Sequence, residues 1–130
     1  MYVKLYHHTS WQGYKGIMKS GVIKESTDTH RDARFGKAVY LTKKGPQCTG
    51  KEVIYNNYGD ADRVLSAFKD RIEIIIEVNL PEESVEQVVD ENDEKRNIYI
   101  HEGNIPTSAI TAVYQRDDNG KAALLTIENE

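Results

Sequence analysis

The sequence predicts an α+β domain built on a mainly antiparallel sheet. Residues 71–80 alternate, with Ile72, Ile74, Ile76, Val78 and Leu80 on one face and Arg71, Glu73, Ile75, Glu77 and Asn79 on the other. Helical spacing is concentrated early in the chain and is clearest at Trp11, Tyr14, Ile17 and Met18. The later chain is a series of short β-favouring runs divided by polar turns. One of these is Asp117-Asp118-Asn119-Gly120, whose Asn-Gly step supplies the positive φ angles of a hairpin. A chain of 130 residues can bury its own core, and residues 1–130 read as a single domain.

Each element follows from its local pattern. Residues 2–7 form a strand with Val3, Leu5 and His7 on one face and Tyr2, Lys4 and Tyr6 on the other. Thr9 and Gln12 have the spacing of a capping box, so Thr9 is expected to cap a helix. That helix is expected to bury Trp11, Tyr14, Ile17 and Met18. Gly21 ends it, because glycine accepts the left-handed conformation. A short strand follows at 22–24. Residues 25–36 are polar and patternless, a loop long enough to carry function.

Residues 38–42 form a second clear strand, punctuated by Lys43-Lys44-Gly45-Pro46. Helical stripes recur at 51–58 and at 60–69, the latter through Val64, Leu65 and Phe68. The strand at 71–80 is expected to have one face in the core and one mostly in water, as antiparallel sheets allow. Residues 85–89 fit no single element, and 90–96 read as a solvated charge run. Strands at 97–101, 110–115 and 121–127 complete the sheet.

Composition bounds the function. Hydrophobic content of 38% and charged content of 29% suit a soluble globular chain. A net charge of −4 and a pI near 5.6 weigh against a general electrostatic grip on nucleic acid. Arg31, Arg34 and Lys37 could still form a local basic patch. Cys48 is the sole cysteine, which excludes an internal disulfide and a multi-cysteine zinc site. No metal-ligand spacing is present elsewhere. A lone cysteine suits a reducing compartment, so the expected location is cytoplasmic. No apolar run could span a bilayer and no secretory core is present. A delivered effector would carry its export signal outside these residues.

Two segments carry a resemblance. Leu5-Tyr6-His7-His8-Thr9-Ser10 puts a histidine at a strand end before a helix, and Phe35-Gly36-Lys37-Ala38-Val39-Tyr40 puts a tyrosine in the strand after a glycine-bearing loop. In this order they resemble the His and Tyr blocks of ADP-ribosyltransferases of the diphtheria-toxin and poly(ADP-ribose) polymerase class, with Ala38 replacing the second glycine. The wider pattern adds Gly16-Ile17, Ser20-Gly21-Val22-Ile23-Lys24, the run from Gly36 to Thr42 and, more loosely, Asn56-Asn57-Tyr58-Gly59. It is closest to the small ADP-ribosyltransferase domains of bacterial polymorphic toxins with a His-Tyr-Asp signature. The implied fold is a mainly antiparallel split sheet with few short helices.

The resemblance implies nicotinamide adenine dinucleotide (NAD) as co-substrate. It implies that His7 hydrogen-bonds the adenosine-side ribose and that the backbone of His8 pairs with the nicotinamide carboxamide. Tyr40 would wall the nicotinamide pocket, and Tyr55 or Tyr58 would stack on the other ring face. Thr9 would add a hydroxyl contact or only cap the helix. The His8 side chain is expected to be an exposed neighbour.

The wider family commonly places a glutamate at the start of a late strand. Aligning Asn97-Ile98-Tyr99-Ile100 with that element puts Arg96 or Asn97 at its position, with Glu94 just before and Glu102 just after the strand. The implied activity is transfer of one ADP-ribose unit, most readily to a protein acceptor, rather than chain elongation. The alternative is a catalytically inactive module of the same fold that binds a nucleotide or a protein partner. A relationship to RNA 2′-phosphotransferases is disfavoured by Tyr40, where those enzymes carry a second histidine, and by the acidic charge.

Overall fold

The computed structural model describes residues 1–25, 38–48, 73–88, 98–117 and 121–125. In chain order its elements are β1 (Tyr2–Thr9), α1 (Trp11–Ser20), β2 (Val22–Ile23), β3 (Val39–Leu41), β4 (Ile74–Pro81), β5 (Val85–Val88), β6 (Ile98–His101), β7 (Ile105–Pro106), β8 (Ile110–Arg116) and β9 (Ala122–Leu124). Single 3₁₀ turns at Glu82–Ser84 and Thr107–Ala109 lead into β5 and β8. The helices expected at 51–58 and 60–69 lie outside the described residues, as does most of the 25–36 loop.

Every described strand pair is antiparallel. The main sheet runs β1-β4-β8-β9, a second runs β3-β6-β5, and β2 pairs with β7. The core lies on one face of the main sheet, where Leu5, Ile74, Ile76, Val78, Leu80 and Val113 meet Val39, Leu41, Tyr14, Ile17, Ile23 and Ile105. Each large aliphatic side chain withdrawn from water there contributes ~1.5–3 kcal/mol before entropy is counted.

Two local expectations are corrected. The cap of α1 is Ser10, not Thr9: the Ser10 hydroxyl accepts from the Gly13 N–H at 2.9 Å. Thr9 is still in β1, opposite Ile74, so sheet pairing holds it extended two residues past the expected strand end. The second correction concerns the helix surface. Tyr14 and Ile17 are buried, whereas Trp11 is 39% and Met18 45% exposed. At 3.6 residues per turn, Trp11 and Met18 stand about 70–90° around the helix from the middle of the buried stripe. A ten-residue helix laid on a sheet covers a narrower arc than its apolar residues span. Gly21 ends the helix as expected, at φ 83°, donating its N–H to the Ile17 carbonyl at 2.9 Å.

A third correction concerns β4. It pairs with β1 on one side and β8 on the other, and its outward residues Ile75 and Glu77 are buried along with its core-facing ones. No wet face remains at those positions. Ile75 escaped the alternation for this reason, and Glu77 is accommodated by partners. Thr111 Oγ1 donates to its carboxylate at 2.6 Å and the Tyr6 hydroxyl at 3.3 Å, with Lys4 Nζ 4.0 Å away. Residues 43–48 lie over this outer face.

Candidate functional site

The candidate site lies where β1 and β3 part. Tyr6 and Thr42 make one antiparallel pair, with N–H to carbonyl distances of 2.8 and 3.0 Å in the two directions. In a continued ladder the next such pair would be His8 with Tyr40, two residues along each strand. Among the described residues that pair is not made. The Tyr40 carbonyl instead lies 3.0 Å from His7 Nδ1. A carbonyl only accepts, so His7 carries a proton on Nδ1, and in the neutral ring Nε2 holds the lone pair. Strand alternation points the His8 N–H and carbonyl the same way as those of Tyr6, toward β3 and away from β4. The two strands thus share one tether and then leave a peptide edge facing the gap.

Tyr40 is half-buried between Val39 and Leu41, both in the core. Alternation along β3 therefore turns the Tyr40 ring off the core face. Its register partner across β6 is Ile100. Thr9 is half-buried at the end of β1 and shares the face of His7. The fold therefore brings His7, His8, Thr9 and Tyr40 to one place, the end of the β1–β3 junction.

The side chain of His8 departs from expectation. It is not an exposed neighbour: Nε2 donates to the Lys44 carbonyl at 2.7 Å, and Nδ1 is buried with no hydrogen-bond partner among the described residues. Burial, with smaller contributions from the positive charges of Arg116 and His7, pushes its imidazolium down to about 3, against the pull of the Lys44 carbonyl. The ring is neutral at neutral pH. Tyr6, on the same face, is half-buried. Burial, then the adjacent Glu77 carboxylate, pushes the Tyr6 phenol up.

Glu102 lies in the turn after β6 and is exposed. That turn is fixed on both sides. Gly103 donates its N–H to Glu25 Oε2 at 3.0 Å, Asn104 Oδ1 accepts from the Glu25 N–H at 3.0 Å, and His101 Nδ1 lies 3.1 Å from the Gly103 carbonyl. Because His101 pairs with Val39, the turn sits at the start of β3, one strand position from Tyr40. Asn97, Glu94, Tyr55 and Tyr58 lie outside the described residues. Among the described residues no group of three His, Cys, Asp or Glu side chains could hold a metal ion, and no helix is long and apolar enough to cross a membrane. The residues that sequence reading missed are Ser10, Arg116 and the 43–48 segment. The only signal for the last was the Gly45-Pro46 step, which marked a turn but not what it covers.

Comparison with known proteins identifies the family. A family model described as "HYD1 signature containing ADP-ribosyltransferase" matches residues 5–111, a span that holds both histidines, Tyr40 and the turn after β6. No curated protein matches the chain. Among solved structures, protein CC0527 from Caulobacter crescentus is similar in fold, with a TM-score of 0.50, 11% identity, and coverage of 93% of this chain and 94% of that one. With His7, His8 and Tyr40 meeting at one junction, and the family match running across most of the sequence, the chain belongs to the HYD1-signature ADP-ribosyltransferases.

Proposed function

We propose that this protein is a mono-ADP-ribosyltransferase that cleaves the nicotinamide–ribose bond of NAD and transfers ADP-ribose to a protein acceptor. The observation that carries the reading is the single β1–β3 tether, beyond which the His7 ring holds the Tyr40 carbonyl and the His8 peptide edge faces the gap. A carboxamide needs one donor and one acceptor side by side, and the edge of an extended strand offers that pair. The flat face of Tyr40 suits a pyridinium ring. With Nδ1 committed to a carbonyl, His7 Nε2 is suited to accept from a ribose hydroxyl.

In the reaction the C1′–N bond breaks and its electron pair stays on the nicotinamide nitrogen. Positive charge spreads over the ribose C1′ and ring oxygen. The acceptor nucleophile then bonds to C1′ and gives up its proton. Catalysis of such a step rests on positioning and on groups placed where charge develops. Asn97 or Glu102 would stand at the third position of the site, beside the nicotinamide ribose. Tyr55 or Tyr58 would supply the second stacking face. The 25–36 loop would meet the acceptor. Such a domain acts in a reducing compartment, whether its own cytoplasm or that of a recipient cell.

The test is incubation of the purified chain with dinucleotide labelled in its adenylate half. Release of nicotinamide together with a labelled protein acceptor is the expected result. Binding without release would favour the inactive, nucleotide-binding module, and neither binding nor release would reject both.

A further inference from the structure

Two consecutive histidines grip the same segment from opposite faces of one strand. His7 reaches the carbonyl of Tyr40, and His8 reaches the carbonyl of Lys44. The Tyr6–Thr42 pair lies between these two points. Beyond Thr42 the segment crosses the outer face of the main sheet and is fastened again. Thr42 Oγ1 accepts from the Lys44 N–H at 3.1 Å, and Thr42 itself is buried. Gly45 lies directly on the Tyr6 ring: a Cβ there would stand 2.6 Å from Tyr6 Cζ, closer than packed atoms approach. A turn closes from the Cys48 N–H to the Gly45 carbonyl at 3.1 Å. Arg116, 8% exposed, then donates through Nη1 to the Cys48 carbonyl at 2.9 Å.

Backbone carbonyls are thus held by side chains at 40, 44 and 48, and the holders come from β1 and β8, both in the main sheet. β3 itself belongs to the other sheet. Apart from the Tyr6–Thr42 pair, no backbone ladder among the described residues joins β3 to the main sheet. The side chains of His8 and Arg116 therefore do what a ladder would otherwise do.

We propose that residues 43–48 form a strap that sets the position of the Tyr40 strand relative to β1, and that the His8 side chain and Arg116 are its fasteners. This rests on the proposed function, in which Tyr40 and the β1 edge form the two walls of the dinucleotide site. His8 and Arg116 are positioning residues: their side chains act through the strap. A loosened strap leaves the two walls correctly spaced for only part of the time. Apparent affinity then falls in proportion to that fraction, while the bound complex reacts at its usual rate.

The experiment compares wild type with His8→Phe, His8→Gln and Gly45→Ala. Phenylalanine keeps the ring and removes the donor. Glutamine carries its amide nitrogen where Nε2 stands. Alanine at 45 pushes the strap off Tyr6 without altering either histidine. Two readouts are taken: amide hydrogen exchange in peptides covering 40–48, which needs no ligand, and KM and kcat for nicotinamide release from the dinucleotide. The expected result is at least tenfold faster exchange across 40–48 in His8→Phe and Gly45→Ala, with 74–81 still protected. KM should rise at least tenfold, with kcat within threefold, and His8→Gln should recover most of both changes. Unchanged exchange in His8→Phe overturns the fastening role. Faster exchange with unchanged KM overturns the link to the site. If wild type neither binds nor cleaves the dinucleotide, the proposed function fails and the positioning role with it, and the exchange data show separately whether the strap is fastened as described.

Discussion

His7 and His8 are adjacent in sequence and opposite in orientation, because successive residues of a strand face opposite ways. One ring lies on the core face with Leu5 and the other beneath residues 43–48. Their substitutions should therefore differ in kind. His7→Ala removes a group proposed to touch the ribose and should lower kcat, with a loss of ~1–3 kcal/mol, or roughly fivefold to 150-fold. His8→Ala should act on KM and leave kcat largely intact. Steady-state nicotinamide release measures both, and equal losses in kcat would mean that the roles of the two rings are misassigned. His8 also makes a prediction for pH. Its folded-state pKa, about 3, lies below the ordinary 6.5, so between these values the unfolded chain binds the extra proton. Stability from this group is intact above pH 6.5 and is lost as pH falls toward 3, by up to about 1.4 kcal/mol per pH unit. The melting temperature of wild type should drop more steeply between pH 6.5 and 4 than that of His8→Gln. Parallel curves for the two would show that His8 does not stay neutral in the fold.

β6 is the element on which the third position of the site depends. Its pairing with β3 is fixed by Val39–His101, Tyr40–Ile100 and Leu41–Tyr99. In the sequence Asn97 precedes the strand and Glu102 follows it, so the two candidates flank β6 on opposite sides. Asparagine there could hydrogen-bond a ribose hydroxyl but could not supply negative charge near the forming cation. Losing one positioned electrostatic contact commonly lowers turnover by ~10²–10³. Asn97→Glu should therefore raise nicotinamide release if Asn97 occupies the acid position. Glu102→Gln and Glu94→Gln are the comparison. If Glu102→Gln abolishes release and Asn97→Glu does nothing, the acid comes from the turn clamped by Glu25, and the alignment of the late strand must move to its other end.

At the scale of the whole molecule, one backbone pair and a set of side-chain clamps join the two sheets among the described residues. A ligand lodged between their proposed site walls would bind the folded state and stabilise it by mass action. A hundredfold excess of dinucleotide over its dissociation constant should add ~2.7 kcal/mol, read as a higher melting temperature. No shift at millimolar dinucleotide, and none with nicotinamide analogues, would remove the proposed site. A shift without turnover would leave the fold as a nucleotide-binding module.

What the sequence determined by itself was local. Alternation in 2–7 and 71–80 located β1 and β4, Gly21 marked the helix end, and the Leu5–Ser10 and Phe35–Tyr40 segments identified the family and offered His7 and Tyr40 as site candidates. These signals are carried by neighbours in the chain, where backbone geometry fixes the period. The tertiary structure decided what covers each face. Ile75, Glu77 and the His8 ring all read as outward, and strand geometry does point them away from Leu5 and Ile76. They are nonetheless enclosed, beside a segment some 35 residues further along from His8 and an arginine from β8. Likewise Thr9 and Ser10 both suit a cap, and only pairing with Ile74 shows that Thr9 is still in the strand. Alternation gives direction, but burial depends on which distant residues arrive, and that is settled only when the sheets meet.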